Sequence, residues 1–385
     1  MTDPFLSLPG AVVAEGVDAG VPGHYGEPMR EQRALERGQA VVDLGDRGIV
    51  TVAGPDRLSW LHSMASQALD RLAPGDSAEA LFLDANGHIE HVAHVIDDGE
   101  RSWLVVEGDE AAALAAFLDR MRFMLRVEVA DVSAEFAVLA ALSSEALDAA
   151  VPAAAPAGVA LDWRDPWAAG SPGGHRYAPE AGHPAASWTW VERIVPRAAL
   201  ADAAAAVAAG RVAAAGSLAA EALCIAAWRP RRATEVDEKA IPHELDWLRS
   251  AVDLGKGCYK GQETVAKVLN LGRPPRRLVL LHLDGSDTVL PAAGDEVVAL
   301  KVRPEPAEGE APERRPVGRI TSSAMHYELG PIALAVVKRA VPADLELIVE
   351  SHGIDVAAAQ VEIVPADARS AIDVPRLPRL GVRRP

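Results

Sequence analysis

Cys258 lies in the stretch DLGKGCYKGQETVAKV (253–268), among glycines and lysines instead of the aliphatic residues that surround a cysteine kept for packing. Gly255, Gly257 and Gly261 let the backbone take positive φ and approach another group closely. Gln262 and Glu263 begin a helix over about 261–270, so the partial positive charge of its N-terminus is directed back at Cys258. Lys256 and Lys260 add full positive charge. All of these favour thiolate over thiol, the condition for a reactive cysteine. The same arrangement suits a bound carboxylate or phosphate. The plainer reading is a glycine-rich turn with a pocket-filling cysteine and solvated lysines. No base adjoins Cys258 in sequence, and His243 and His282 qualify only if the fold brings them in.

Other groups carry chemistry too. His88, His91 and His94 follow an Asn86-Gly87 pair, and period-2 geometry puts His88 and His94 on one strand face and His91 on the other. Three ligands from one strand make a poor zinc site, so no metal is expected. Trp188 or Trp190 could stack on a flat heterocycle. Arg229, Arg231 and Arg232 could meet a polyglutamate tail through charge-assisted bonds, or form a solvated surface cluster.

The elements that would position these residues read as α+β. A loose arm (1–23) precedes a helical stretch over 24–38, strands over 40–54, a helix after Asp56 and a hairpin centred on Asn86-Gly87. Residues 109–126 form an amphipathic helix, and 217–231 another. From Arg276 the pattern is all β, interrupted by a Pro/Glu-rich loop at 303–316. Five arginines and no packing pattern mark the end of the chain as a disordered basic tail. The divisions expected are 1–23, a body over 24–272, a β-barrel over 273–365 and the tail over 366–385.

At 385 residues the chain exceeds one hydrophobic core. Its formal charge of −17 excludes a protein built to coat nucleic acid. No apolar run is long enough to span a bilayer, and the start MTDPFLSLPG lacks the basic residues of a signal peptide. Two distant cysteines, Cys224 and Cys258, form no disulfide framework, as expected in a reducing compartment. A cytoplasmic monomer without membrane or direct nucleic-acid partners is expected.

The string from Lys256 to Glu263, KGCYKGQE, resembles the K-G-C-[FY]-x-G-Q-E signature of the YgfZ-type folate-binding proteins. These are relatives of the T-protein (aminomethyltransferase) of the glycine cleavage system. The longer stretch RPRRATEVDEKAIPHELDWLRSAVDLGKGCYKGQE, the N-terminal DRGIVTVAGPDRLSW and the C-terminal PVGRITSSAMH are similar as well, so the likeness covers about 24–365. It implies a pseudo-symmetric folate-binding body of antiparallel sheets and helices with a C-terminal β-barrel. It also implies tetrahydrofolate or a one-carbon derivative in a central cavity, and support of iron–sulfur client or assembly proteins. The resemblance assigns Cys258 and Lys256 as the reactive pair, with Lys256 and the helix start lowering the thiol pKa. Tyr259, Gln262, Glu263, His91, Trp188, Glu192 and Arg229 are its folate-side candidates.

The chain departs from the T-protein pattern at three places. His91 stands where that family has an aspartate beside the folate. Trp188 falls where its pterin-pairing glutamate would be, with Glu192 the nearest acid. Leu223–Trp228 lack its Arg and Glu. Glycine-cleavage aminomethyl transfer is therefore not expected. Two alternatives stay open: a folate-dependent methyl- or aminomethyltransferase using Glu90 or Asp84, and a scaffold with a vestigial cavity.

Overall fold

Alternation along the strand Ser77–Leu83 sends Leu81 and Leu83 to one face and Ala80 and Phe82 to the other. In the computed structural model, which describes residues 3–368 apart from 109, 179, 272, 287 and 302–312, that two-faced pattern builds the body. Its first sheet runs Ser77–Leu83, Ile89–Asp97, Arg101–Val106, Gly48–Ala53 and Glu128–Asp131 in spatial order. Its second runs Asp162–Arg164, Val191–Pro196, Phe136–Ala141, Ala40–Asp43 and Ala213–Ala215. Leu81, Val92, Ile96 and Val105 of the first sheet share one core with Val42, Val138, Ala140 and Ile194 of the second. Helices Arg57–Met64 and Glu110–Met121 cover the first sheet's outer face through Leu61, Leu114 and Leu118. Helices Ser144–Ala150 and Leu200–Ala208 cover that of the second. Each sheet thus has one face in the shared core and one under helices.

A closed six-stranded antiparallel barrel follows, in the order Arg276–Leu283, Gly330–Lys338, Glu313–His326, Glu296–Lys301, Leu347–Ser351 and Ile354–Glu362. Arg276 ties it to the body through Asp237 and Glu244 at 2.6 and 2.7 Å. Ser322 Oγ donates to Glu235 at 2.8 Å.

Several expectations change. The N-terminal arm is packed, not loose: Phe5 and Val21 are buried, and Asp18 pairs with Arg231 at 2.6 Å. Two large apolar side chains anchor what its prolines and glycines make look unstructured. The helix expected over 109–126 ends at Met121, and Phe123 then takes φ +45° in a turn closed by Leu125 N donating to Arg122 O. The last residues of the 303–316 loop, from Glu313, belong to a barrel strand, and 302–312 lie outside the described residues. The tail from 369 to 385 also lies outside them. Among the described residues no helix is long and apolar enough to cross a membrane.

Candidate functional site

The Cys258 loop is pinned at both ends. On its N-terminal side, Asp253 Oδ1 accepts from Gly255 N at 2.7 Å. Lys256 turns inward, and its Nζ donates to the carbonyls of His62, Ala65 and Gln67. Burial pushes that ammonium down to about 8, against weaker upward pulls from Asp253 and Asp70. On the C-terminal side, Gly261 at φ +84° meets the hairpin turn so closely that a Cβ would sit 2.6 Å from Asp84 O and 3.0 Å from Gly87 Cα. Lys260 pairs with Glu90 at 3.0 Å. The helix Gln262–Leu271 starts four residues beyond the cysteine. Between these clamps Cys258 is exposed, whereas Cys224 is buried and its thiol is pushed far up by desolvation. The plainer reading, a cysteine filling a small pocket, does not hold.

One expectation about this loop needs correcting. Lys256 does not present its charge to solvent beside the sulfur, because three backbone carbonyls hold the ammonium inside the body. It fastens the loop. Tyr259 is buried, with Lys256 Nζ 5.0 Å from its ring centre. Gln262 Nε2 reaches Lys256 O at 3.4 Å, and Glu263 is exposed.

A pocket of about 630 Å³ opens beside the loop, lined by Gly255, Lys256, Gly257, His62, Gln67 and Asp253 among others. A second pocket, of about 560 Å³, has Asp84, His88, Glu90, His91, Phe117 and Arg232 in its wall. The residues before Cys258 thus line the first pocket, while beyond it Lys260 is paired with Glu90 of the second.

Between the two sheets is a smaller, charged cavity of about 50 Å³. Trp188 and Trp190 lie nearly parallel in its wall, 5.3 Å apart. Arg229 is buried between Glu79 at 2.7 Å and Asp165 at 2.8 Å. Arg231 is shared by Asp18, Glu107 and Glu221. Neither arginine is part of a solvated cluster: every guanidinium nitrogen is engaged, Arg229 Nη1 by Pro230 O and the others by carboxylates, so neither is free for a polyglutamate tail. Glu192 accepts from Trp190 Nε1 at 3.2 Å and pairs with His94 Nδ1 at 2.7 Å. Burial raises its carboxyl, but the attraction and bond of His94, with Arg47 and Trp190, outweigh that and hold it below the usual range.

The three histidines diverge onto three carboxylates: His88 on Asp84 at 3.0 Å, His91 on Glu110 at 2.7 Å and His94 on Glu192. Their faces differ from the period-2 expectation. Phe82 pairs with His91 and Leu83 with Ile89, so Glu90 is an extra residue in its strand. That bulge brings His88 and His91 to the same outer pocket and leaves His94 on the central cavity. Among the described residues no group of three or more His, Cys, Asp or Glu could hold a metal ion.

Arg232 borders both the central cavity and the 560 Å³ pocket. It pairs with Glu110 at 3.1 Å, and its Nε is buried without a partner. The donor set around it suits a reduced folate: an indole face of the stacked tryptophans for a flat ring, the Glu192–His94 pair for ring N–H groups, and an orphaned guanidinium N–H for an anionic tail. Free space is the limit. About 50 Å³ takes about four waters, so a bicyclic ring enters only when Arg232 or its neighbours move aside.

Of the seven folate-side candidates, Trp188, Glu192 and Arg229 share the wall of the central cavity. His91 faces the outer pocket, while Cys258, Gln262 and Glu263 stand on the loop and its helix. Asp84, a candidate acid, is consumed by the turn, where Oδ1 accepts from Asn86 N and His88 N. Sequence reasoning missed His94 as the partner of Glu192. Alternation past Val92 could have found its face, but not its partner 98 residues away.

No family model matches the chain. It is 25% identical over 291 residues to a chloroplastic protein of Arabidopsis thaliana, named a transferase without that activity being established; the match covers 72% of this chain and 63% of that one. Over 108 residues it is 25% identical to the mitochondrial homologue of iron–sulfur cluster assembly factor IBA57 from Cryptococcus neoformans, covering 27% of this chain and 28% of the relative. The chain thus spans less than two thirds of the length of either relative. Among solved structures, glycine cleavage system aminomethyltransferase T from Bartonella henselae superimposes with a TM-score of 0.68 at 19% identity, over 94% of this chain and 95% of that one. The fold is that of aminomethyltransferase T.

Proposed function

We propose that the protein binds a reduced folate and supports the assembly or repair of iron–sulfur clusters in client enzymes, with Cys258 as its working thiol. The observation that carries this reading is the placement of Cys258: exposed, on a loop clamped to the body by Lys256 and Gly261, directly after residues that line a pocket of ligand size, in a chain with the aminomethyltransferase T fold. The relative named an iron–sulfur cluster assembly factor supports the client class. The YgfZ-type signature KGCYKGQE supports the finer family placement.

The stacked pair Trp188–Trp190 would offer an indole face to the ring, and the Glu192–His94 pair would stand at its edge. Arg232 would turn its unpartnered Nε to the anionic tail. A bound folate supplies one-carbon chemistry at its ring nitrogens. Cys258 offers an incoming partner a soft sulfur donor of the kind iron–sulfur clusters take. The cluster is the client's cargo, and this chain offers no set of thiolates to keep one.

Calorimetry of the full chain with 5-formyltetrahydrofolate tests the ligand; saturable binding is expected, and no heat with that or any other reduced folate overturns it. In cells lacking the protein, Cys258→Ser is expected to restore client iron–sulfur activity poorly while folding normally. Full restoration removes the thiol from the function.

A further inference from the structure

The imidazole of His94 is fixed in every direction but one. Its strand, Ile89–Asp97, belongs to the first sheet, and its ring lies flat on Trp163 of the second at 3.7 Å between centres and 2° between planes. Trp163 is itself tied by Nε1 to Ala78 O at 2.8 Å. In the ring plane, Nδ1 is held at 2.7 Å by Glu192, a carboxylate 2% exposed that also accepts from Trp190. Among the described residues the ring is bonded through Nδ1 and not through Nε2, and His94 lines the central cavity. Of the remaining charges facing that cavity, Glu79 and Asp165 are held by Arg229, Asp18 and Glu221 by Arg231, and Glu107 by Arg47 and Arg231, while Arg232 is paired with Glu110 and keeps its Nε unpartnered. A ring stacked on one side, bonded at one nitrogen and open at the other is a preorganised acceptor.

We propose that His94 Nε2 is the hydrogen-bond acceptor for a ring N–H of a planar nitrogen heterocycle in the central cavity, and that Glu192 is its positioning residue. The carboxylate holds the neutral ring's proton on Nδ1, which leaves the Nε2 lone pair for the ligand. The identity of the heterocycle rests on the folate reading; the His94–Glu192 pair does not.

Two measurements on the full chain separate the two. Nitrogen-15 NMR of the imidazoles reports the tautomer: a single Nδ1–H form of His94 is expected, mixing in Glu192→Gln and restored in Glu192→Asp. Calorimetry with 5-formyltetrahydrofolate then follows affinity across the pH range over which the His94 signals titrate. Affinity is expected to rise about tenfold with pH in the natural protein and to stay flat in His94→Gln, which still binds. If His94→Gln keeps the natural pH profile, the acceptor role is wrong while the folate reading stands. If the natural protein binds no folate, that reading fails and NMR decides the pair; a His94 tautomer indifferent to Glu192→Gln overturns it.

Discussion

Cys258 and Cys224 are the same side chain in opposite surroundings, one exposed on a clamped loop and the other buried beside Glu221 with its thiol pushed far up. Iodoacetamide should therefore modify one thiol in the native protein and two in denaturant, and Cys258→Ser should leave none reactive when native. Comparable native labelling of Cys224 would falsify the burial argument. Lys256 makes the second residue-scale test. Lys256→Met leaves three inward carbonyls without their donor, each costing about 1 kcal/mol or more. A loss of roughly 3 kcal/mol in urea unfolding is expected, with faster amide exchange over 255–260. An unchanged midpoint would mean that water replaces the ammonium at no cost.

At the scale of elements, the loop's place is set by two glycines facing one another across the hairpin turn. Gly261 at φ +84° and Gly87 at φ +83° allow an approach that a Cβ on either would block, against Asp84 O in one case and Thr264 Cβ at 2.9 Å in the other. Gly261→Ala combines left-handed strain of about 1–2 kcal/mol with that clash. It is expected to cost about 2 kcal/mol or more and to loosen the loop without disturbing the barrel, read by hydrogen exchange. The turn after Glu110–Met121 behaves oppositely. Phe123 holds φ +45° while 89% exposed, so it carries strain with no burial to offset it. Phe123→Gly should raise stability by about 1 kcal/mol; a loss would show that Phe123 packs in solution.

Over the whole molecule, stability responds to pH through buried groups of opposite sign. Burial, helped by Glu221, raises Glu235 to about 7, and burial raises Asp246 to about 7. Their folded forms hold a proton that the unfolded chain has released, so that stabilisation is complete below the ordinary carboxyl range and is lost as pH rises through 7. Burial lowers His183 and His243 to about 4, so their contribution is present above 6.5 and is lost as pH falls toward 4. Between about 4.5 and 6.5 the two trends oppose each other. Removing one acid exposes the other trend: Glu235→Gln should match the natural protein near pH 4.5 and exceed it by about 3 kcal/mol at pH 8. Parallel curves for the two proteins would show that Glu235 ionises normally. Glu235 also accepts from Ser322, so the same titration acts on the joint between body and barrel.

Local rules wrote much of this into the chain. Asn86-Gly87 specifies a turn wherever it lies, alternation over 77–83 specifies two buried faces, and Gly261 before Gln262 specifies a helix start, because each depends on neighbouring backbone alone. The signature around Cys258 could be found for the same reason, as could the barrel's run of strands. Tertiary structure decided the rest. It turned Lys256 inward, used the Glu90 bulge to send His94 to the centre, buried Arg229 against a glutamate 150 residues away and left the central cavity room for only a few waters. Those outcomes depend on desolvated charges meeting across sheets, and an ion pair's two halves carry no mark in sequence of which partner each will meet.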